Sequence, residues 1–184
     1  NDAFGNCTSL EGVVIPNSVT TIENSAFYQC NLLDNVTIPN SVTMIGTYAF
    51  AYCSNLKHIE LSNNITNIER LFTSCTSLDT IVVPNSVTTI GTSAFRGCTA
   101  LKNIIMPNSV TTIGTSAFED CTALKNVTIP NSVTTIDESA FEGCAALSNI
   151  SFSDNSNLKI IGSHAFYNCK ALRSISIPRS TERI

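Results

Sequence analysis

The string "PNSVTTIGTSAF" occupies residues 84–95 and returns, letter for letter, at 107–118. The core of a globule has a different shape at every point. An identical string 23 residues later therefore predicts identical surroundings. Outward from this pair the same grammar continues. Phe recurs at 4, 27, 50, 72, 95, 118, 141 and 166, in steps of 23, 23, 22, 23, 23, 23 and 25. A Cys follows each Phe by three residues, and a Leu follows each Cys by three more. A period of this length means a solenoid, because one unit cannot bury its apolar face but stacked units share a core.

Within one unit, Ile104 and Met106 flank Ile105 with the period of a strand. Pro107 stops that strand because it has no N–H to give to a ladder, and Asn108-Ser109 suit the turn that follows. Val110 and Ile113, separated by two Thr, predict a second short strand. "SAFEDC" (116–121) then offers a serine cap and helix-tolerant residues, which predicts a single helical or 3₁₀ turn. The unit's glycine (Gly46, Gly91, Gly114, Gly162) gives way to Glu23, Glu69 and Asp137 elsewhere, so no positive φ is expected there.

The joint placement of Cys, Leu, Ile, Pro and Ala-Phe, as in "CTALKNVTIPNSVTTIDESAF" (121–141), resembles the BspA-like leucine-rich repeats of bacterial and some protist surface proteins. The resemblance covers essentially the whole chain. It implies an α/β, mostly β solenoid: a right-handed superhelix with a parallel β-sheet on one face, and short second strands and short helical or 3₁₀ turns on the other. It also implies a secreted or cell-surface protein used in adhesion, with no shared catalytic residue. Residues 1–184 read as one leucine-rich-repeat domain of about eight coils, a segment of a longer protein. Three places depart from the pattern. The 53–75 unit lacks one residue, puts Leu71 in the Ala slot and has Ser62 for Pro. The 144–169 unit gains two residues around "SFSDNSNLK", and the last unit has Thr181 for Val.

Composition narrows the function classes. Net charge is −4 with pI near 5.0, so there is no basic footprint for nucleic acid. The charge-free stretch 35–56 contains Pro39, Asn40 and Gly46 and is too polar to cross a bilayer. Cofactors and metals are not expected: glycines fall one per coil with no phosphate cradle, and the cysteines form no C-x-x-C. Eight Cys in an extracellular-type chain raise the question of disulfides. Each, however, keeps step with the inward Leu and Phe, so buried free thiols and no disulfides are expected. His58 and His164 lack a recurring nucleophile partner and read as solvated side chains, which makes an enzyme the weakest reading.

Variation between coils is where recognition would lie. Four residues after each Cys stand Glu11, Asp34, Lys57, Asp79, Lys102, Lys125, Ser148 and Arg173; seven after stand Val14, Thr37, Glu60, Val82, Ile105, Thr128, Ser151 and Ser176. Both rows are expected on the open sheet. The candidate binding surface is Lys57, His58, Glu60, Asp79, Val82, Lys102, Ile105, Lys125 and Thr128, with Val82 and Ile105 as an apolar patch. The alternating signs of Asp34, Lys57, Asp79 and Lys102 also suit cross-strand pairing. Sequons at Asn6, Asn35, Asn64, Asn126 and Asn149 are candidate glycosylation sites. Threonine rows such as Thr88-Thr89 and Thr111-Thr112 are too interrupted for an ice-binding array.

The expected partner is a protein or glycan at a cell or matrix surface, with no nucleic acid and no membrane insertion. The alternative is a structural spacer that self-associates through uncapped end coils.

Overall fold

The computed structural model describes residues 1–184 and contains thirteen short strands and no helix. In chain order they are β1 (Thr21–Ile22), β2 (Asn35–Thr37), β3 (Met44–Ile45), β4 (His58–Glu60), β5 (Asn67–Ile68), β6 (Thr80–Val82) and β7 (Thr89–Ile90). They continue as β8 (Asn103–Ile105), β9 (Thr112–Ile113), β10 (Asn126–Ile129), β11 (Thr135–Ile136), β12 (Asn149–Phe152) and β13 (Ile160–Ile161). Even-numbered strands form the front of the solenoid and odd-numbered strands the back. All pairing is parallel and in repeat register: Thr89 faces Thr112, which faces Thr135, and Ile90, Ile113 and Ile136 follow. The front pairs two by two, β2 with β4, β6 with β8 and β10 with β12. The back holds one five-stranded run from β5 to β13 and a separate β1–β3 pair.

Local chemistry explains each corner. The unit's proline closes a turn rather than continuing a ladder: the N–H of Val87 donates to the Pro84 carbonyl at 3.0 Å and that of Val110 to Pro107 at 3.2 Å. Inside, one cluster of 48 buried apolar residues runs from Ile22 to Cys169, so every coil shares the same core. Its spine is a file of phenylalanines stacked ring on ring, with Phe95 5.3 Å from Phe118 and Phe118 5.1 Å from Phe141. Such offset stacks add about 0.5–1.5 kcal/mol each to the burial of the rings.

The third corner corrects the sequence reading. The expected helical or 3₁₀ turn at 116–121 is absent, and with it the α/β character: the fold is an all-β solenoid. Ser116 (φ 54°) and Asp120 (φ 59°) are left-handed. The same two slots are left-handed in the other coils, as at Ser25 and Gln29, Arg70 and Ser74, Ser93 and Gly97, Ser139 and Gly143, and His164 and Asn168. A helix needs an unbroken run of right-handed residues, and one left-handed residue in four forbids it. The N–H groups alternate accordingly. Ser116, Phe118 and Asp120 donate to Glu138, Ala140 and Glu142 of the next coil at 2.8–2.9 Å, while Ala117, Glu119 and Cys121 close local turns onto Gly114, Ser116 and Phe118. The corner thus satisfies its backbone through its neighbour.

As expected, the glycine slot is not left-handed. At Gly114 close approach is the constraint, since an added Cβ would lie 2.9 Å from the Gly91 carbonyl carbon.

The irregular units are absorbed locally. The missing residue falls in the corner, where Glu69-Arg70-Leu71 does the work of Gly46-Thr47-Tyr48-Ala49. Leu71 is buried in the Ala slot, and β3 and β5 do not pair. Side chains bridge the adjoining turn: Ser62 Oγ donates to the Val42 carbonyl, the Asn63 N–H donates to Asn40 Oδ1 at 2.8 Å, and Asn64 Nδ2 donates to the Asn40 carbonyl at 2.6 Å. The two extra residues of the later unit lie between β12 and β13, where Asn155 is left-handed and Asn157 bonds back to Asn131. The first and last copies form no front strand; Gly12 reaches Asn35 only through an isolated bridge.

Candidate functional site

The front strands bury their middle residue and expose its neighbours, so Asn35 and Thr37, His58 and Glu60, Thr80 and Val82, Asn103 and Ile105 point outward. This shifts one expected row. The strands begin five residues after each Cys. The outer rows are therefore the Asn35–His58–Thr80–Asn103–Asn126–Asn149 file and the Thr37–Glu60–Val82–Ile105–Thr128 file. Lys57, Lys102 and Lys125 stand exposed one residue ahead of their strands, and Asp79 is half-buried at the same point. Only the alternation of inward and outward side chains settles which residues share the face, and the repeat alone does not reveal where that alternation starts.

Val82 and Ile105 are direct partners across β6 and β8 and are 59% and 60% exposed. Beside them, between β4 and β6, lies a shallow hollow of about 680 Å³ lined by His58, Glu60, Asn63, Thr80, Val82 and Pro84. On the other side the surface is polar, with Thr128 and Ser151 hydroxyls 3.0 Å apart and Asn126 in register with Asn149. Of the alternating charges only Lys102 and Asp79 meet, at 3.8 Å. Asp34 accepts a hydrogen bond from Asn35 Nδ2 at 2.6 Å and makes no ion pair with Lys57. An exposed pair at that distance stabilises by less than about 1 kcal/mol, so these charges are free to serve a partner. They are graded along the axis. Residues 1–56 carry Asp2, Glu11, Glu23 and Asp34 and no Lys or Arg; residues 157–184 carry Lys159, Lys170, Arg173, Arg179 and Arg183 against Glu182.

Among the sequons, Asn35, Asn126 and Asn149 face outward on this sheet, Asn6 occupies a left-handed corner slot, and Asn64 is engaged with Asn40. His58 is exposed at the hollow. His164 sits in a left-handed corner slot with its ring 5.4 Å from Tyr167, edge to face. No three His, Cys, Asp or Glu side chains converge as a metal site would require.

The cysteines form a second internal file. From Cys30 to Cys169 each thiol donates to the carbonyl of a phenylalanine one coil back, as Cys53 to Phe27 and Cys98 to Phe72, both at 3.1 Å. Burial pushes the Cys53 and Cys98 thiols up to about 12, far from the range of a reactive thiolate. Cys7 alone is exposed.

The repeat model described as "BspA type Leucine rich repeat region" matches six copies, over residues 1–72 and 69–184. The chain belongs to the BspA-type leucine-rich repeat family. Among solved structures, this BspA-type chain resembles a leucine-rich repeat protein of T. pallidum, with 35% identity and a TM-score of 0.80 over 88% of this chain and 78% of that one. A leucine-rich cell surface protein of Faecalibacterium prausnitzii is 38% identical over 78% of this chain but only 32% of its own length, with a TM-score of 0.54. A leucine-rich repeat protein of Eubacterium ventriosum is 27% identical over 95% of this chain and 56% of that one, with a TM-score of 0.73. No curated protein matches the sequence. BspA-type repeats typically serve as non-catalytic interaction scaffolds in surface proteins. No helix here is long and apolar enough to cross a membrane.

Proposed function

We propose that the chain is a non-catalytic, protein-binding adhesion module at a cell surface, holding its partner on the front sheet. The observation that carries this is the Val82–Ile105 pair, two large apolar side chains side by side and more than half exposed on a rigid sheet. Side chains on such a wall are already ordered, so a partner loses little entropy in meeting them. The pair has the makings of a hot spot: an apolar centre rimmed by Lys57, His58, Glu60, Lys102, Lys125 and Thr128. The acid-to-base gradient along the axis supports one orientation of the partner over the reverse. A surface location is supported by the cell-surface protein of Faecalibacterium prausnitzii.

The test is an array of host-surface and matrix proteins probed with the full chain. Specific capture that is lost in the Val82→Lys, Ile105→Lys double variant, with unfolding unchanged, is the expected result. Capture indifferent to both substitutions would remove the sheet from consideration. No capture at all, with filaments that grow with concentration, would favour the spacer reading.

A further inference from the structure

The corner that follows each back strand carries a feature that neither the repeat nor the front sheet explains. In most coils its two left-handed slots hold small or polar residues suited to positive φ, such as Ser93 with Gly97 and Ser139 with Gly143. One coil places tyrosine in both: Tyr48 (φ 59°) and Tyr52 (φ 61°). A bulky ring is disfavoured in that region, and both side chains still reach solvent, Tyr48 at 37% and Tyr52 at 40% exposure. Their neighbours extend the patch. Tyr28 of the preceding coil meets Tyr52 edge to face at 5.4 Å, and the Arg70 guanidinium of the following coil lies 6.0 Å from the Tyr48 ring centre. Two adjacent coils thus bring together three of the protein's four tyrosines, and a third coil adds Arg70.

From these residues we infer a second binding site, for a neutral hexopyranose glycan, on the corner at Tyr28, Tyr48 and Tyr52. Strain kept at exposed positions points to function rather than folding. The chemistry selects the ligand. Tyrosine offers a flat apolar ring and a hydroxyl at its rim, which matches a sugar ring with an apolar C–H face and peripheral hydroxyls. Charge selects against an anion: Arg70 is neutralised by Glu69 at 3.2 Å, and the first 56 residues carry only acids. Gln29, in the left-handed slot below Tyr52, adds an amide that gives and takes hydrogen bonds. The rings stand beside flexible-free backbone fixed by coil-to-coil bonds, Gln29 N–H to Ala51 and Tyr52 N–H to Thr73 at 2.9 and 2.7 Å, so the platform is preformed.

The chain has no Trp, so its ultraviolet emission comes mainly from tyrosine, and three of the four tyrosines lie at the site. The full chain is titrated with cellohexaose, maltohexaose and a mannan hexamer, with heparin and a proline-rich decapeptide in parallel. A saturable change with at least one neutral hexamer is expected. Tyr52→Gly and Tyr48→Ser, which install residues the other coils use, should each weaken it about tenfold or more. Both variants should melt no lower than the parent, because the strain is relieved. Lower melting in both would make the rings structural and overturn the site. So would saturation by heparin or the peptide alone, no response to any neutral hexamer, or unchanged affinity in the variants. Val82→Lys with Ile105→Lys should leave the titration as it was; a matching loss there would move the sugar to the front sheet.

Discussion

Phe50 and Phe72 stack with ring centres 6.3 Å apart and planes inclined by 19°, the loosest step in a file whose other steps measure 5.1–5.5 Å. The wide step coincides with the missing corner residue, and the Phe50 N–H reaches the Leu71 carbonyl at 3.2 Å where most sister bonds measure 2.8 Å. One deleted residue is felt as a stretch in the spine of the solenoid rather than as a break in it.

The spine makes the cost of losing a ring depend on its place. Phe95 is fully buried between Phe72 and Phe118, so Phe95→Ala should cost about 3–5 kcal/mol in urea unfolding. Phe4 is 46% exposed and has a single stacked neighbour, so Phe4→Ala should cost about 1 kcal/mol or less. Equal losses would mean the rings do not act as a graded stack.

Ser62 replaces a turn proline and is fully buried. Its hydroxyl donates to the Val42 carbonyl and accepts the Asn64 N–H at 3.1 Å. Ser62→Ala orphans both groups and should destabilise the chain by about 1–3 kcal/mol, read as a shift of the urea midpoint at constant slope. A neutral result would show that water reaches this turn.

The thiols predict a pH dependence. Burial raises Cys53 and Cys98 from an ordinary value of 9.0 to about 12 and Cys169 to about 11. The unfolded chain therefore releases these protons first. Their contribution to stability is complete below pH 9 and is lost as pH climbs towards 12. At pH 8 an alkylating reagent should label Cys7 in the folded chain and all eight cysteines in denaturant without reductant. Fewer than eight would reveal a disulfide.

Gly143 is left-handed at φ 71°, and a Cβ there would run into the Asp120 carboxylate of the coil below. Gly143→Ala should cost about 1 kcal/mol or more, and Asp120→Ala in the same chain should recover the part due to the clash. Calorimetry on the two single variants and the double variant completes the cycle.

Much of this was open to reading in the letters. The spacing of Phe95, Cys98 and Leu101 from Phe118, Cys121 and Leu124 announces stacked coils, because only like surroundings ask for like residues. Outward exposure of Val82 and Ile105 followed from alternation. The corner did not follow. "SAFEDC" reads as helix-tolerant because Ala, Phe and Glu carry no objection to a helix, and that tolerance hides the left-handed slots. Their signal was present as Ser, Asn, Asp or Gly recurring four residues apart, and it was masked where Gln29, Tyr48, Tyr52, Arg70 and His164 fill the same slots.

By itself the sequence determined the period, the inward set and the family, because a repeated core residue constrains its copies above and below. Tertiary structure alone decided that the front strands begin five residues after each Cys rather than four, that alternate N–H groups of the corner donate to the next coil, and that Tyr28 meets Tyr52 on the corner that also carries Tyr48. Those three outcomes depend on contacts between coils about 23 residues apart, and the hydrogen bonds that set them belong to no single unit.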